Sequence, residues 1–525
     1  MRGHTRRLAI TLGVIAALAG CATNPVTGRS ELALVSEEQE LEIGREQYGP
    51  ARQMQGGDYN VDPALTEYVD SVGQRLAAVS DRELPYEFTV INDGTPNAWA
   101  LPGGKIAVNR GLLSELENEA ELAAVLGHEI VHAAARHGAQ SLQRQQIMQG
   151  AILVAGVAAA ASDTAPPGLV MGASSLAASL LNQKYGRGAE LESDRYGMEY
   201  MAKAGYDPQA AVTLQEKFVK LAEGRQTGWL EGLFASHPPS EDRVAANREL
   251  AKTLPTGELG AERYVAATEQ LRRDAPAYAA LERGRKALKE KDTAAALAAA
   301  EEAIRIQPRE AQFHALRGDV RFVQENYEDA ITNYDRAAQH DDDFFYYALQ
   351  RGLAEQALGR NDAALADLQR SVELLPTSTA VKALADIHLE RGDREQAVKL
   401  YRQVAGSESP AGRDAAATLV RLELAERPGE YLPARVGAGA GGEVLVEVRN
   451  PTPVAVDNVE VAIQYLDAAG QVRTLRRRLG GVLPAGETAI VSTGLGPVSD
   501  PAELQRVRAT VTAARVASRD DIRRR

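Results

Sequence analysis

Residues 118–138 read NEAELAAVLGHEIVHAAARHG. At their centre stands His128-Glu129-Ile130-Val131-His132, an H-E-x-x-H pattern. Residues four apart on an α-helix share one face, so both imidazoles can point at a single ion. Glu129 sits about 100° round the helix axis, within reach of a water on that ion without ligating it. Leu122, Val125, Leu126, Ile130 and Val131 supply a buried stripe, which predicts a helix packed into a core. Asn118 with Glu121 predicts a capping box at its start, and Gly138 predicts the residue just past its end.

Five residues with three fixed also arise by chance on surface helices, so the pattern needs company. It finds it at Arg187-Gly188-Ala189-Glu190-Leu191-Glu192-Ser193-Asp194. Glu190 and Asp194 share a helix face by the same four-residue spacing. Hydrolytic zinc sites use three protein ligands plus water, and two histidines with one glutamate is a recognised set. Asp194, one turn on, is placed to hold the second ring nitrogen of a ligand histidine. An exposed acidic face is the competing reading of this helix, and Glu192 is the competing ligand. His137 lies nine residues past His128 and stays unassigned.

At 525 residues the chain is too long for one core and implies three or four domains. Its formal charge of −13 argues against a nucleic-acid partner, which calls for a basic field. The clusters Arg476-Arg477-Arg478 and Arg523-Arg524-Arg525 read as solvated faces or tails. Arg2, Arg6 and Arg7 precede an apolar run, Leu8 to Gly20, whose 13 residues are too few to span a bilayer. Residues 1–20 therefore read as a signal peptide. Leu18-Ala19-Gly20-Cys21 resembles a bacterial lipobox, with Cys21 as the lipidated mature N-terminus and a polar tether behind it. Cys21 is the single cysteine, so no disulfide can form within the chain. By resemblance to bacterial lipoproteins, Ala22 in place of Asp favours the outer membrane.

Val35 to Glu40 predicts a capped helix start, and Leu65 to Val79 a helix. Phe88–Ile91 and Lys105–Val108 predict strands, with Pro102-Gly103-Gly104 as a turn. A strand beside a metal helix can offer its edge to an extended peptide. Ile147–Ala161 and Gly168–Leu181 are apolar and Ala-rich but short for membrane spans, and read as core helices or a mobile lid beside the site, with a dip into a membrane surface as the alternative. Gly284, Gly318 and Gly352 recur every 34 residues, with Ala385 one residue early in the fourth place, and Ala296, Ala330, Ala364 and Ala397 keep step. This period is the tetratricopeptide signature and predicts an all-α solenoid over 277–425. Beyond Pro428, Val444–Val448, Val459–Ile463, Ala489–Val491 and Val507–Val511 alternate with turns, predicting a small β-sandwich over 433–518.

Taken with Asn97-Ala98-Trp99…Pro102-Gly103-Gly104 and Ala204-Gly205-Tyr206-Asp207-Pro208, the H-E-x-x-H and E-x-x-x-D segments carry a family likeness. The chain resembles the zinc metallopeptidases related to the CAAX prenyl proteases, and among them the periplasmic BepA-type chaperone-proteases with C-terminal tetratricopeptide repeats. The likeness covers roughly Asn24 to Leu250, with Gly186 and Ser193 standing where the family commonly has Ser and Ala. It implies a mainly helical α+β peptidase domain of the zincin type over 21–255. It implies one zinc ion on His128, His132 and Glu190, Glu129 as catalytic base, and Asp194 in support. In BepA-like relatives a loop histidine occupies the metal's open position and holds the enzyme latent. Residue for residue that is His237, in Ser236-His237-Pro238-Pro239-Ser240, which is otherwise a turn histidine. The implied substrates are unfolded, misfolded or stalled outer-membrane proteins, with the repeats docking substrate or envelope assembly machinery, and the implied place is the periplasm, held to the membrane through Cys21. The alternative is a chaperone or assembly scaffold whose protease site is mostly silent.

Overall fold

The computed structural model describes residues 21–144, 173–223, 236–439, 441–467, 469–498 and 504–518. Residues 1–20, expected to be a signal peptide, the stretch Ile147–Ala161, the start of Gly168–Leu181 and the C-terminal arginine cluster lie outside them. The chain divides into two compact units, 1–375 and 376–525.

In the first unit, β1 (Cys21–Thr23) and β2 (Ser30–Leu32) pair antiparallel around a turn closed by Asn24, whose Oδ1 accepts from the backbone of Val26 at 2.9 Å. Asn24 is buried, and its amide donates to the Ala135 carbonyl at 3.3 Å. The segment after Cys21 is thus a ribbon packed on the domain rather than the expected free tether. Hydrogen bonding by an Asn-Pro turn outweighs the polar composition that suggested a linker. Ser36 caps the helix Glu37–Met54 in a full capping box with Gln39. The helix Pro63–Ala77 then lays its apolar face on a three-stranded sheet.

That sheet has the order β3-β5-β4: β3 (Glu87–Ile91) runs parallel to β5 (Lys105–Asn109), and β4 (Ala98–Leu101) closes an antiparallel hairpin with β5. The hairpin turn needs left-handed backbone, supplied by Gly103 at φ 80° and Gly104 at φ 83°. Behind the sheet lies the helix Glu119–Ala134, which carries the H-E-x-x-H pattern and is buried along its whole length. It crosses the helix Arg187–Lys203 at two glycines. A Cβ on Gly197 would lie 3.0 Å from the Gly127 carbonyl carbon and the His128 nitrogen, so only glycine permits this backbone approach. The crossing sets His128, next to Gly127, against the acidic helix.

The unit continues into helix pairs: Glu269–Lys289 with Thr293–Ile306, Ala311–Val323 with Tyr327–His340, and Phe345–Ala357 with Asn361–Leu374. A Cβ on Gly284, Gly318 or Gly352 would meet Leu316, Tyr334 or Leu368 within 2.9 Å, which is why a small residue recurs there. The first pairs share a core with the peptidase region, Phe313 and Leu316 clustering with Leu112 and Leu113. At this seam Asn92 donates to both oxygens of the buried Glu310, at 3.1 and 3.2 Å, and Tyr278 donates to Glu310 at 2.6 Å. Nearby, Asp341 accepts from Asn60 at 3.1 Å. Burial raises its pKa to about 6, partly offset by the Asp343 backbone N–H and reinforced by Glu310, Asp58 and Asp343. A carboxyl raised in the folded state favours the neutral form, so its contribution to stability falls as pH climbs from about 4 to about 6. Asp341→Asn is expected to raise stability at pH 7.5 by about 1–2 kcal/mol and to leave it unchanged at pH 4, read by urea unfolding at the two pH values.

The second unit holds the helices Ser378–Glu390, Arg394–Val404 and Pro410–Glu423, followed by two three-stranded antiparallel sheets. One is ordered β10-β7-β6, from Thr488–Ser492, Val444–Arg449 and Ala434–Ala438; the other is β11-β8-β9, from Arg508–Val516, Val456–Leu466 and Val472–Arg478. Val446, Val448 and Val491 of the first sheet and Val461, Ile463 and Val511 of the second fill a common core, the expected sandwich.

Candidate metal centre

The start of the histidine helix is fixed by its first turn. Glu119 is buried and accepts from Tyr68 at 2.7 Å, Tyr206 at 3.0 Å and Arg263 at 2.9 Å. Burial would raise its pKa, but these donors hold it below the ordinary value, and its charge suits a helix N-terminus. Asn118 accepts from the Glu121 backbone at 2.9 Å as expected. The reciprocal half of the capping box is absent: the Glu121 carboxylate accepts from the Glu117 backbone at 2.7 Å instead.

The end of the helix also differs from expectation. The chain breaks at Ala135 and Arg136, Arg136 taking the left-handed conformation at φ 64°, and helix resumes over 137–144. Gly138 lies inside that next helix, close to Pro102, and is not the terminating residue. The Arg136 guanidinium donates to Glu40 at 2.7 Å and to the Val35 carbonyl at 2.6 Å, which offsets the cost of left-handed backbone.

His128, His132, Glu190 and His237 are all buried, and one ligand atom from each lies within 4.8 Å of the others. The His128 and His132 Nε2 atoms are 3.0 Å apart. Glu190 places Oε2 3.5 Å from His128 Nε2 and Oε1 3.4 Å from His132 Nε2. His237 Nδ1 stands 3.1 Å from Glu190 Oε1 and 3.4 Å from His128 Nε2. Ligands held about 2.0–2.1 Å from a tetrahedral zinc are separated by roughly 3.3–3.4 Å, so these spacings fit that ion. Glu192, the competing ligand, stays outside the cluster. Its Oε1 lies 3.3 Å from His137 Nε2.

Around the donors runs a charged frame. Asp194 Oδ1 lies 2.9 Å from His128 Nδ1, placed to accept an N–H there, which is the tautomer that leaves Nε2 for an ion. Arg243, on the helix Glu241–Ala251, donates Nε to Asp194 Oδ2 at 2.7 Å and Nη2 to Oδ1 at 2.6 Å, and sets Nη1 2.9 Å from Glu190 Oε2. Burial would raise the Asp194 pKa, but Arg243 and His128 bring it to about 2. Burial likewise opposes charge on Glu190, and the three histidines more than offset it, holding its pKa well below the carboxylate range. Glu129 is raised by burial, against the opposing fields of His237 and His128. His132 is held neutral by burial, as a ligand requires. A cavity opens beside Glu129, walled by Met198, Met201, Leu214 and Phe218.

Sequence reasoning anticipated His128, His132, Glu190, Asp194 and His237, and the fold brings all five together. It left His137 unassigned and gave no role to Arg243, which follows the His237 loop. Arg243 had one signal, its position three residues past the helix-capping Ser240 that follows the His237 loop.

A helix-borne H-E-x-x-H pair closed by a glutamate from a second helix, on a mixed helix–sheet scaffold, defines a helical metallopeptidase domain. Residues 63–251 match the family described as Peptidase family M48, and 281–346 and 349–412 match tetratricopeptide repeats; the chain carries an M48 domain followed by those repeats. It is 33% identical over 258 residues to the beta-barrel assembly-enhancing protease of Escherichia coli (strain K12), covering 47% of this chain and 51% of that protein. It is 36% identical over 202 residues to the mitochondrial metalloendopeptidase OMA1 of Schizosaccharomyces pombe, covering 38% of this chain and 55% of that one. The chain thus spans about half the length of these curated relatives.

Proposed function

We propose that the protein is a zinc-dependent endopeptidase acting on envelope proteins, with His128, His132 and Glu190 as ligands of one ion. The observation that carries this reading is the set of spacings of 3.0, 3.5 and 3.4 Å among donor atoms from two separate helices, with Glu129 beside them. A bound zinc supplies a Lewis acid for the scissile carbonyl and lowers the pKa of water to about 7. Glu129 takes the proton of the attacking water and delivers it to the leaving amine nitrogen. Asp194 and Arg243 keep His128 and Glu190 in place through that exchange. β4 pairs only with β5 among the described residues, and a strand edge that no other described strand takes up, beside the site, is suited to an extended peptide.

The name of the Escherichia coli relative, a beta-barrel assembly-enhancing protease, favours outer-membrane proteins as substrates and the periplasm as the place of action. The repeats then dock substrate or assembly machinery. The lipobox-like Leu18–Cys21 supports a lipid anchor, and no helix among the described residues is long and apolar enough to cross a membrane. A second reading, a chaperone or assembly scaffold with a latent protease, is favoured by His237, whose Nδ1 stands where a fourth ligand would.

Purified protein is expected to hold one zinc per chain and to cleave casein in a manner abolished by a chelator and restored by zinc; protein that binds no zinc refutes the proposal. His237→Ala is expected to keep the zinc and raise casein cleavage by roughly tenfold, since imidazole is a strong competitor for the open position. Unchanged or lower cleavage in this variant would remove the latency reading.

A further inference from the structure

His137 belongs to no part of the machinery described so far, yet it is buried against it. Its Nδ1 lies 3.0 Å from His132 Nδ1, and its Nε2 lies 3.3 Å from Glu192 Oε1. On a continuous helix the fifth residue onward points about 140° away. The left-handed turn at Arg136 is what folds His137 back onto His132. Gln183 donates to the His137 backbone carbonyl at 3.4 Å, which holds the main chain there, and the Tyr185 ring lies against His132 with centroids 3.9 Å apart.

Two ring nitrogens 3.0 Å apart need one proton between them, because facing lone pairs repel. A neutral imidazole carries one N–H and one lone pair. Were the shared proton on His137, His132 would accept it at Nδ1 and present Nε2–H to the cluster, which cannot bind a metal. Glu192 decides between the two arrangements. Its carboxylate accepts the His137 Nε2–H, which leaves the His137 Nδ1 as a lone pair and puts the shared proton on His132 Nδ1. The His132 lone pair then sits on Nε2, the atom 3.0 Å from His128 Nε2 and 3.4 Å from Glu190 Oε1.

We propose that His137, oriented by Glu192, is the positioning residue that sets the tautomer of His132 and so completes the metal site. It does for His132 what Asp194 does for His128, with an imidazole between the carboxylate and the ligand. The inference rests on the zinc reading above and adds to it a specific chain: Glu192, His137, His132.

The test compares two substitutions of the same branched shape, one with an acceptor and one without, in the full-length protein. Asn at 137 can place its Oδ1 where the histidine Nδ1 stands and accept the same proton, whereas Leu cannot. His137→Leu is expected to weaken zinc binding 10–100-fold in competition with a chromophoric chelator, and to alter the visible spectrum of the cobalt-substituted protein. His137→Asn is expected to stay within about threefold of wild type with an unchanged cobalt spectrum, as the retained acceptor requires. Glu192→Leu, at a half-buried position, is expected to weaken zinc binding in the same direction and supplies a second, independent break in the same chain of hydrogen bonds. Equal zinc affinity in wild type and His137→Leu overturns this proposal alone, and so does equal weakening in Leu and Asn, which would mark a packing role. Wild-type protein that holds no zinc overturns both readings.

Discussion

Glu129→Gln is expected to lower casein cleavage by about 10²–10⁴-fold while the protein keeps one zinc per chain. The substitution preserves volume and removes only the capacity to take a proton. Glu129 is buried, its Oε1 lies 3.7 Å from His237 Nε2, and its Oε2 has no hydrogen-bond partner. Burial raises its pKa against the opposing fields of His237 and His128, so a neutral amide costs little and stability should stay within about 1 kcal/mol of wild type or rise. A carboxylate kept buried without a hydrogen-bonded counter-charge makes sense as a base waiting for a proton. Zinc analysis, thermal unfolding and cleavage on the same preparation separate the outcomes. Cleavage within tenfold of wild type would mean that another group accepts the proton, and the assignment of Glu129 would fail.

The parts of the site legible in the sequence are those set by helical periodicity. Two imidazoles at 128 and 132, and two carboxylates at 190 and 194, are each presented on one face by a four-residue step, and the 34-residue spacing of Gly284, Gly318 and Gly352 marks the repeats as plainly. What periodicity cannot carry is a break in it. His137 stayed unassigned because it lies nine residues past His128, at the expected end of the helix, and the left-handed Arg136 that redirects it is a non-glycine residue with no local signature. Glu192 stood as the competing ligand on the same acidic helix; the close crossing at Gly127 and Gly197 brings Glu190 to the cluster and leaves Glu192 to His137. The polar run after Cys21 failed in another way. Composition marks it as a linker, whereas a single Asx turn at Asn24 is enough to fold it into a ribbon on the domain.

The second large effect concerns stability. Arg243→Met should destabilise the metal-free protein by about 3–5 kcal/mol, the cost typical of removing one partner of a buried ion pair. Arg243 is buried and lies between two buried carboxylates, with a further N–H donated to the Pro238 carbonyl at 3.2 Å. Methionine fills much of the volume, so the loss is mainly that of neutralisation. Asp194 would keep one partner, His128 Nδ1, and Glu190 would face the three histidines alone. Zinc should then restore part of the loss, because the ion neutralises Glu190 but does not reach Asp194. The difference in urea midpoint between wild type and variant is therefore expected to be larger with chelator than with zinc. Arg243→Lys should recover only a fraction, since one ammonium cannot reproduce the paired bonds to Asp194 together with the approach to Glu190. Equal midpoints for wild type and Arg243→Met in chelator would show that the two carboxylates are neutral or hydrated in the folded protein, and the charged frame inferred around the donors would have to be abandoned.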